Sequence, residues 1–199
     1  MTTSRAVPRV LRSDDPEAAH LLEAGATLVS ESWGARLTVD KDVLARCRAA
    51  VGAATAAGWS VGPVGSDGAT DVVDLDLSAA ADYPRTAATA HDPPEPGALA
   101  AALAGGTRWA FGAWAAGRLD AVTVLTDAGD RVETDFTVTR ASARRRGLAT
   151  AVKGAAVLSL AADGHARFGT GGAAVNAGSR RANEALGYVV VERWLHLVP

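Results

Sequence analysis

Three β-forming runs, Arg108 to Trp114, Arg118 to Leu125 and Arg131 to Thr139, are joined only by the turns Ala115 to Gly117 and Thr126 to Asp130. Connections this short cannot cross over a sheet, so the three strands must be antiparallel neighbours in a meander. The rest of the chain has to pack around that sheet. Downstream, an arginine-rich loop leads into a helix over 147–162, whose Leu148, Ala151, Val152, Ala155 and Leu158 share one face. A strand at 166–170, a helix at 178–186 and a strand at 188–197 follow. Upstream lie a strand at 59–64, a Gly/Ser/Asp turn at 65–68 and helices at 69–81 and 97–103, the helices separated by a proline-rich segment, 83–96, expected to be an ordered loop.

The first part of the chain reads as strand 7–12, helix 15–24, strand 27–39 and helix 40–57, the last stopped by Gly58. We therefore expect an α+β chain with a mixed, mostly antiparallel sheet flanked by helices. Residues 1–55 would form a β-α-β-α appendage and residues 56–199 the main domain. One internal echo is visible: Glu23-Ala24, Glu31 and Trp33 recur as Glu184-Ala185, Glu192 and Trp194 at a constant offset. Both segments read as strand, helix, strand, as a shortened remnant of a duplicated domain would. Chance identity in an alanine-rich chain is the alternative.

With 199 residues the chain can bury one full core. Its net charge of −2 provides no global field for nucleic acid or an anionic membrane, so any anion must be met locally. No basic, apolar leader and no membrane-length apolar run is present, and the expected location is the cytoplasm. The lone cysteine, Cys47, falls on a helical stripe with Val43, Leu44 and Val51, which favours core packing over a nucleophile. No cluster reads as a metal site.

Arg144-Arg145-Arg146-Gly147-Leu148-Ala149 stands between a predicted strand and a predicted helix. Glycine permits a tight turn and a close backbone approach, and the first amides of the helix then point outward as donors. The helix dipole and the arginines add positive charge, so the site suits a pyrophosphate. A solvated basic loop is the competing explanation of the letters alone. Rossmann and P-loop alternatives lack their G-x-G-x-x-G and GK[ST] signatures.

In that context the stretch resembles the central R/Q-x-x-G-x-G/A motif of the GNAT superfamily of acyl-CoA-dependent N-acetyltransferases. Thr170-x-Gly172-x-x-x-Asn176 and Asn183-Glu184-Ala185-Leu186-Gly187-Tyr188 resemble the family's closing pattern. The resemblance covers about residues 56–199 and extends to the tandem actinobacterial subgroup, whose Tyr-Pro-rich loop Asp82-Tyr83-Pro84 to His91 resembles. It implies acetyl-CoA as cofactor and direct attack by a primary amine of a small molecule or peptide. On this resemblance Arg144, Arg145, Arg146, Gly147, Leu148, Ala149 and Thr150 cradle the pyrophosphate. Phe136, Thr137, Val138 and Thr139 offer backbone groups to the pantetheine arm, and Asn176 contacts the cofactor or caps its helix.

An attacking amine must first lose a proton. Glu133 is the expected base and Asp135 its neighbour two residues on, on the same face of an ideal strand; exposed carboxylates on the meander are the alternative. Tyr83 and His91 are expected at the acceptor site. Trp109 and Trp114 read as core or subunit contact. Where many family members carry a general-acid tyrosine this chain has Asn183, which is not a useful acid, and Tyr188 is expected to pack rather than replace it. A non-catalytic acyl-CoA-binding or regulatory module is therefore the second expectation, and a homodimer built through residues 1–40 a third.

Overall fold

The computed structural model describes residues 7–83 and 91–199; the middle of the proline-rich segment, 84–90, and residues 1–6 lie outside the described residues. In chain order the elements are β1 (Arg9–Arg12), α1 (Pro16–Glu23), β2 (Thr27–Thr38), α2 (Lys41–Ala56), β3 (Ser60–Pro63), α3 (Ala69–Ser78), α4 (Pro96–Ala104), β4 (Arg108–Ala115), β5 (Arg118–Asp127), β6 (Val132–Thr139), α5 (Leu148–Ala162), β7 (Arg167–Ala173), α6 (Ala177–Leu186) and β8 (Val189–Val198). Each expected strand and helix is present, with ends shifted by a few residues. The helix starts follow side-chain chemistry. The carboxylate of Asp15 accepts from Glu17 N, that of Asp40 from Asp42 N and Val43 N, and that of Glu95 from Gly97 N.

All eight strands form one sheet in the order β1-β8-β2-β7-β6-β5-β4-β3. The meander runs β4, β5, β6 in antiparallel register, with the Ala115–Gly117 connection closed by Ala116 and Gly117, both at positive φ. The one parallel contact is β6 with β7, and it holds only for Val132↔Phe168 and Glu133↔Gly169. Beyond those pairs β6 stays paired to β5 and β7 to β2 but not to each other, so a gap opens between them.

The segment 1–55 is woven into this sheet. β2 lies between β8 and β7, pairing from Ser32↔Ala173 to Thr38↔Arg167 on one side and with β8 on the other. The echo noted in the sequence has a geometric counterpart. Trp33 and Trp194 flank the centre of the β2–β8 ladder, with Trp33 opposite Arg193 and Ser32 opposite Trp194. β1 pairs onto β8 as β7 pairs onto β2, and Asp15 and Asn176, separated by the same offset as the two tryptophans, cap α1 and α6.

Helices α2 and α5 cover one sheet face, where Val43 and Cys47 meet Phe111, Leu125, Val132, Val157, Leu160 and Phe168. Helices α3 and α4 cover the other, with Val72, Leu75 and Leu99 against Val122, Val124, Phe136 and Val138. Cys47 is fully buried, and burial pushes its thiol up to about 11. α2 and α5 approach closely because Gly154 has no side chain: a Cβ there would lie 3.2 Å from the Cys47 carbonyl oxygen. Trp109 packs against the first core with its ring edge-on to His165, and Trp114 against the second.

Candidate functional site

The loop from β6 to α5 is built so that its amides stay free. Arg145 has φ 61 and Gly147 φ 78, both left-handed, and alternation of this kind turns successive N–H groups toward one side. An arginine in that region is strained, a feature that clusters at functional sites. Unlike α1, α2, α4 and α6, α5 has no side-chain cap, and its first turn closes with Ala151 N donating to Gly147 O at 3.0 Å. Among the described residues the amides of 145–150 find no protein acceptor. Nothing lies within 4 Å of where a Gly147 Cβ would sit, and Arg145, Gly147, Leu148, Ala149 and Thr150 all border open space.

They face a cleft of about 500 Å³ between the end of β6, the start of α5 and the start of α6. Of the expected residues, Thr137, Thr139, Arg144, Arg145, Gly147, Leu148, Ala149, Thr150 and Asn176 line it. Three do not. Phe136 and Val138 point into the core under α3 and α4, and only their backbone is available to the cleft side. The Arg146 guanidinium sits 5.6 Å from the Trp59 ring instead. The Arg144 side chain is occupied as well, donating through Nε to Thr139 O at 3.0 Å and ion-paired with Asp82 at 2.6 Å. Asn176 caps α6, its side chain accepting from Ser179 N at 3.0 Å.

Sequence reasoning missed Lys153, Ser179 and Arg181, which also line the cleft. Lys153 could have been found, since it is the only charged residue in α5. Its Nζ donates to Thr134 Oγ1 at 3.0 Å and to Thr170 Oγ1 at 3.3 Å. Those threonines directly follow Glu133 and Gly169, the last paired residues of β6 and β7, so the amine sits where the gap begins. Burial pulls Lys153 down to about 7, partly opposed by the Glu133 charge. Arg145 and Arg181 have no carboxylate partner among the described residues.

A smaller cleft of about 250 Å³ adjoins the first and shares Thr137, Thr139, Arg144 and Asn176 with it; Ala79, Asp82 and Tyr83 form its other wall. The Tyr83 hydroxyl donates to Asp76 Oδ1 at 2.6 Å, and His91 Nε2 lies 2.6 Å from Asp76 Oδ2. Asp76 is fully buried, and the His91 ring packs on Phe136 with centroids 4.7 Å apart. Burial, then the Asp76 hydrogen bond, holds the Tyr83 hydroxyl well above its ordinary range, so it stays neutral.

Glu133 and Asp135 do not line either cleft. Glu133 accepts from Arg131 Nε at 2.7 Å and lies over Gly169, where any Cβ would collide with its carboxylate. That puts it beside the point where the strands part. Asp135 is ion-paired with Arg108 at 3.1 Å. Register shifts between Val124↔Phe136 and Leu125↔Thr134, so β6 bulges at Asp135 and simple alternation no longer relates the two acids. Asn183 is buried with Nδ2 donating to Ser179 O at 2.9 Å, and its Oδ1 has no partner among the described residues. Tyr188 is a core residue, 4% exposed, whose hydroxyl burial keeps protonated.

No family model matches the chain, and no curated protein matches it in sequence. Solved structures do match. A GCN5-related N-acetyltransferase from Sphaerobacter thermophilus superposes with a TM-score of 0.68 at 14% identity, covering 96% of this chain and 58% of its own length. One from Kribbella flavida gives 0.61 at 20% identity, covering 97% and 68%. A tandem GNAT protein from the clavulanic acid biosynthesis pathway gives 0.61 at 22% identity, covering 96% and 62%. The chain thus has the GNAT fold and spans roughly three fifths of the length of the first and third of these proteins.

Proposed function

We propose that the protein transfers an acyl group, acetyl in the simplest case, from coenzyme A to a primary amine of a small molecule or peptide in the cytoplasm. One observation carries this reading: the unpartnered amides of 145–150 at the uncapped start of α5 open onto a cleft that leads to the parting of β6 and β7. The cleft fits the cofactor. Free amides, the helix dipole and the unpaired Arg145 and Arg181 suit a diphosphate. The backbone of Phe136–Thr139, unpaired on its β7 side, suits an amide-bearing arm that adds like a strand. Acetyl-coenzyme A, when bound, supplies the activated acyl carbon.

The chain's own groups then have two tasks. Tyr83, which shares the Asp76 anchor with His91, walls the smaller cleft, where the amine would enter; His91 does not line it. Glu133, beside the start of the gap, is the better-placed of the two carboxylates to take a proton from an alkylammonium, directly or through water. Asp135 is held away by Arg108 and serves the field rather than the proton. Residues 1–55 we read as the shortened half of a duplicated domain, donating β2 to the other half's sheet.

The test is titration calorimetry of coenzyme A against wild type and Gly147→Val, with circular dichroism to confirm the fold. Valine at φ 78 strains the turn by about 1–2 kcal/mol and adds bulk at a residue that lines the cleft. Loss of binding in a folded variant is expected; wild-type affinity would remove the cradle. A second reading, a non-catalytic acyl-CoA binder, is favoured by Asn183 at the tyrosine position. Sustained thiol release from acetyl-CoA over a panel of primary amines excludes it.

A further inference from the structure

Lys153 is ionisable, buried inside the fold and without a carboxylate ion pair among the described residues. Its only hydrogen-bond partners there are the Thr134 and Thr170 hydroxyls, one from each strand of the gap. Two hydroxyls are a poor exchange for the water a lysine ammonium gives up on burial. A packing role would be served better by methionine or leucine, since the rest of α5 is apolar or small. Lys153 also lines the large cleft, about one turn of helix beyond the free amides of Leu148–Thr150. A chain of atoms anchored by a diphosphate at the α5 start and running along β6 toward the gap passes within its reach.

We propose that Lys153 is the proton donor to the sulfur that leaves during acyl transfer, taking the place that Asn183 cannot fill. This rests on the reading of the cleft as a coenzyme A site. As the amine nitrogen bonds to the acyl carbon, the carbon–sulfur bond breaks and its electron pair goes to sulfur. Lys153 passes a proton from Nζ to that sulfur, giving the free thiol. The new amide nitrogen sheds one proton to Glu133 or water, and Lys153 regains one from solvent as the cleft empties. Proton count and electron count both close with no further reagent.

The surroundings suit the exchange. Facing Nζ are Thr134 from β6, Thr170 from β7 and the Tyr188 ring at 5.6 Å, with Cys47 of α2 in the same core; the Glu133 charge acts from the other face of the sheet, over Gly169. Tyr188 and Cys47 stay neutral near pH 7, so Glu133 is the one charge acting on the amine. With its own ionisation near 7, Lys153 can both release and recover a proton at neutral pH.

The decisive measurement needs no acceptor. The thiol of coenzyme A bound to wild type, Lys153→Met and Lys153→Arg is titrated by thiolate ultraviolet absorbance, after subtraction of the protein alone. Lys153 gives up its proton near 7 and is neutral where a thiol ionises, so the arginine variant carries the proximity test: its guanidinium beside the sulfur lowers the bound thiol's ionisation by about one pH unit, a tenfold shift, relative to the methionine variant. Wild type follows the methionine variant over that range. With acetyl-CoA and hydroxylamine, whose size frees it from acceptor fit, thiol release falls about 100-fold in both variants, since a guanidinium does not give up its proton. Equal thiol ionisation in Lys153→Arg and Lys153→Met overturns the assignment. So does wild-type turnover by Lys153→Arg, or an acetyl group found on Lys153 by peptide mass spectrometry, which would make it a nucleophile. If wild type itself fails to bind coenzyme A, the amide cradle falls first and Lys153 with it, an outcome distinct from the others.

Discussion

Replacing Lys153 by methionine should change how stability depends on pH, whatever the protein binds. In the unfolded chain the lysine keeps its proton up to 10.5, and in the fold it gives it up at about 7. At 1.36 kcal/mol per pH unit, burying the charged form costs about 5 kcal/mol below pH 7. Between the two values the unfolded chain binds more protons, so wild-type stability rises with pH across that window. From pH 7 to pH 9 the lysine contributes about 2 kcal/mol of that rise. Methionine has nothing to titrate. At pH 7 the variant escapes most of the burial cost but leaves the Thr134 and Thr170 hydroxyls without a donor, about 1 kcal/mol each, and should be more stable by about 2 kcal/mol. Urea unfolding of both proteins at the two pH values measures this, and every other titrating group cancels in the difference. Equal pH slopes would show that Lys153 is not buried as charge-costly as its surroundings imply.

Other perturbations test other joints. Gly154→Val drives a side chain into the Cys47 backbone, 3.2 Å from where its Cβ would lie, and should destabilise by about 1–3 kcal/mol in thermal unfolding. Asp76→Ala leaves the Tyr83 hydroxyl and His91 without their shared acceptor; a loss of about 3 kcal/mol by urea unfolding is expected, together with a raised KM for amines and little change in coenzyme A affinity. Removing residues 1–39 takes away an inner strand, so the remainder should lose its cooperative unfolding transition rather than simply weigh less by light scattering.

The sheet and its helices were legible because the patterns were local. Tight turns fixed β4–β6 as a meander, and Asp15, Asp40 and Gly58 marked helix ends. The uncapped start of α5 was legible too, since Gly147 opens a helix whose preceding residues offer no capping side chain. What escaped depends on through-space partners. The place of β2 between β7 and β8 is a pairing over more than a hundred residues, which no window of sequence displays. The bulge at Asp135 breaks the alternation used to relate it to Glu133, and periodicity cannot reveal one extra residue. Arg144 and Arg146 read as phosphate ligands by charge alone, yet Asp82 and Trp59, remote in sequence, claim their side chains. Lys153 was overlooked because a lone lysine in an apolar helix invites the assumption that it snorkels outward.

The interior position of β2 also sets an order of events at the ribosome. Its backbone donors and acceptors find both their partners only after β7 and β8 emerge, some 160 residues later. At the usual pace of synthesis that is a wait of roughly ten seconds. During it, an extended, partly apolar segment has nothing to join. The meander and α5 can collapse meanwhile, leaving β6 with a bare edge that β7 later meets only at Val132 and Glu133. Closure therefore comes when β2 meets β7 and β8, and a pause or a chaperone acting in that interval would bear on yield.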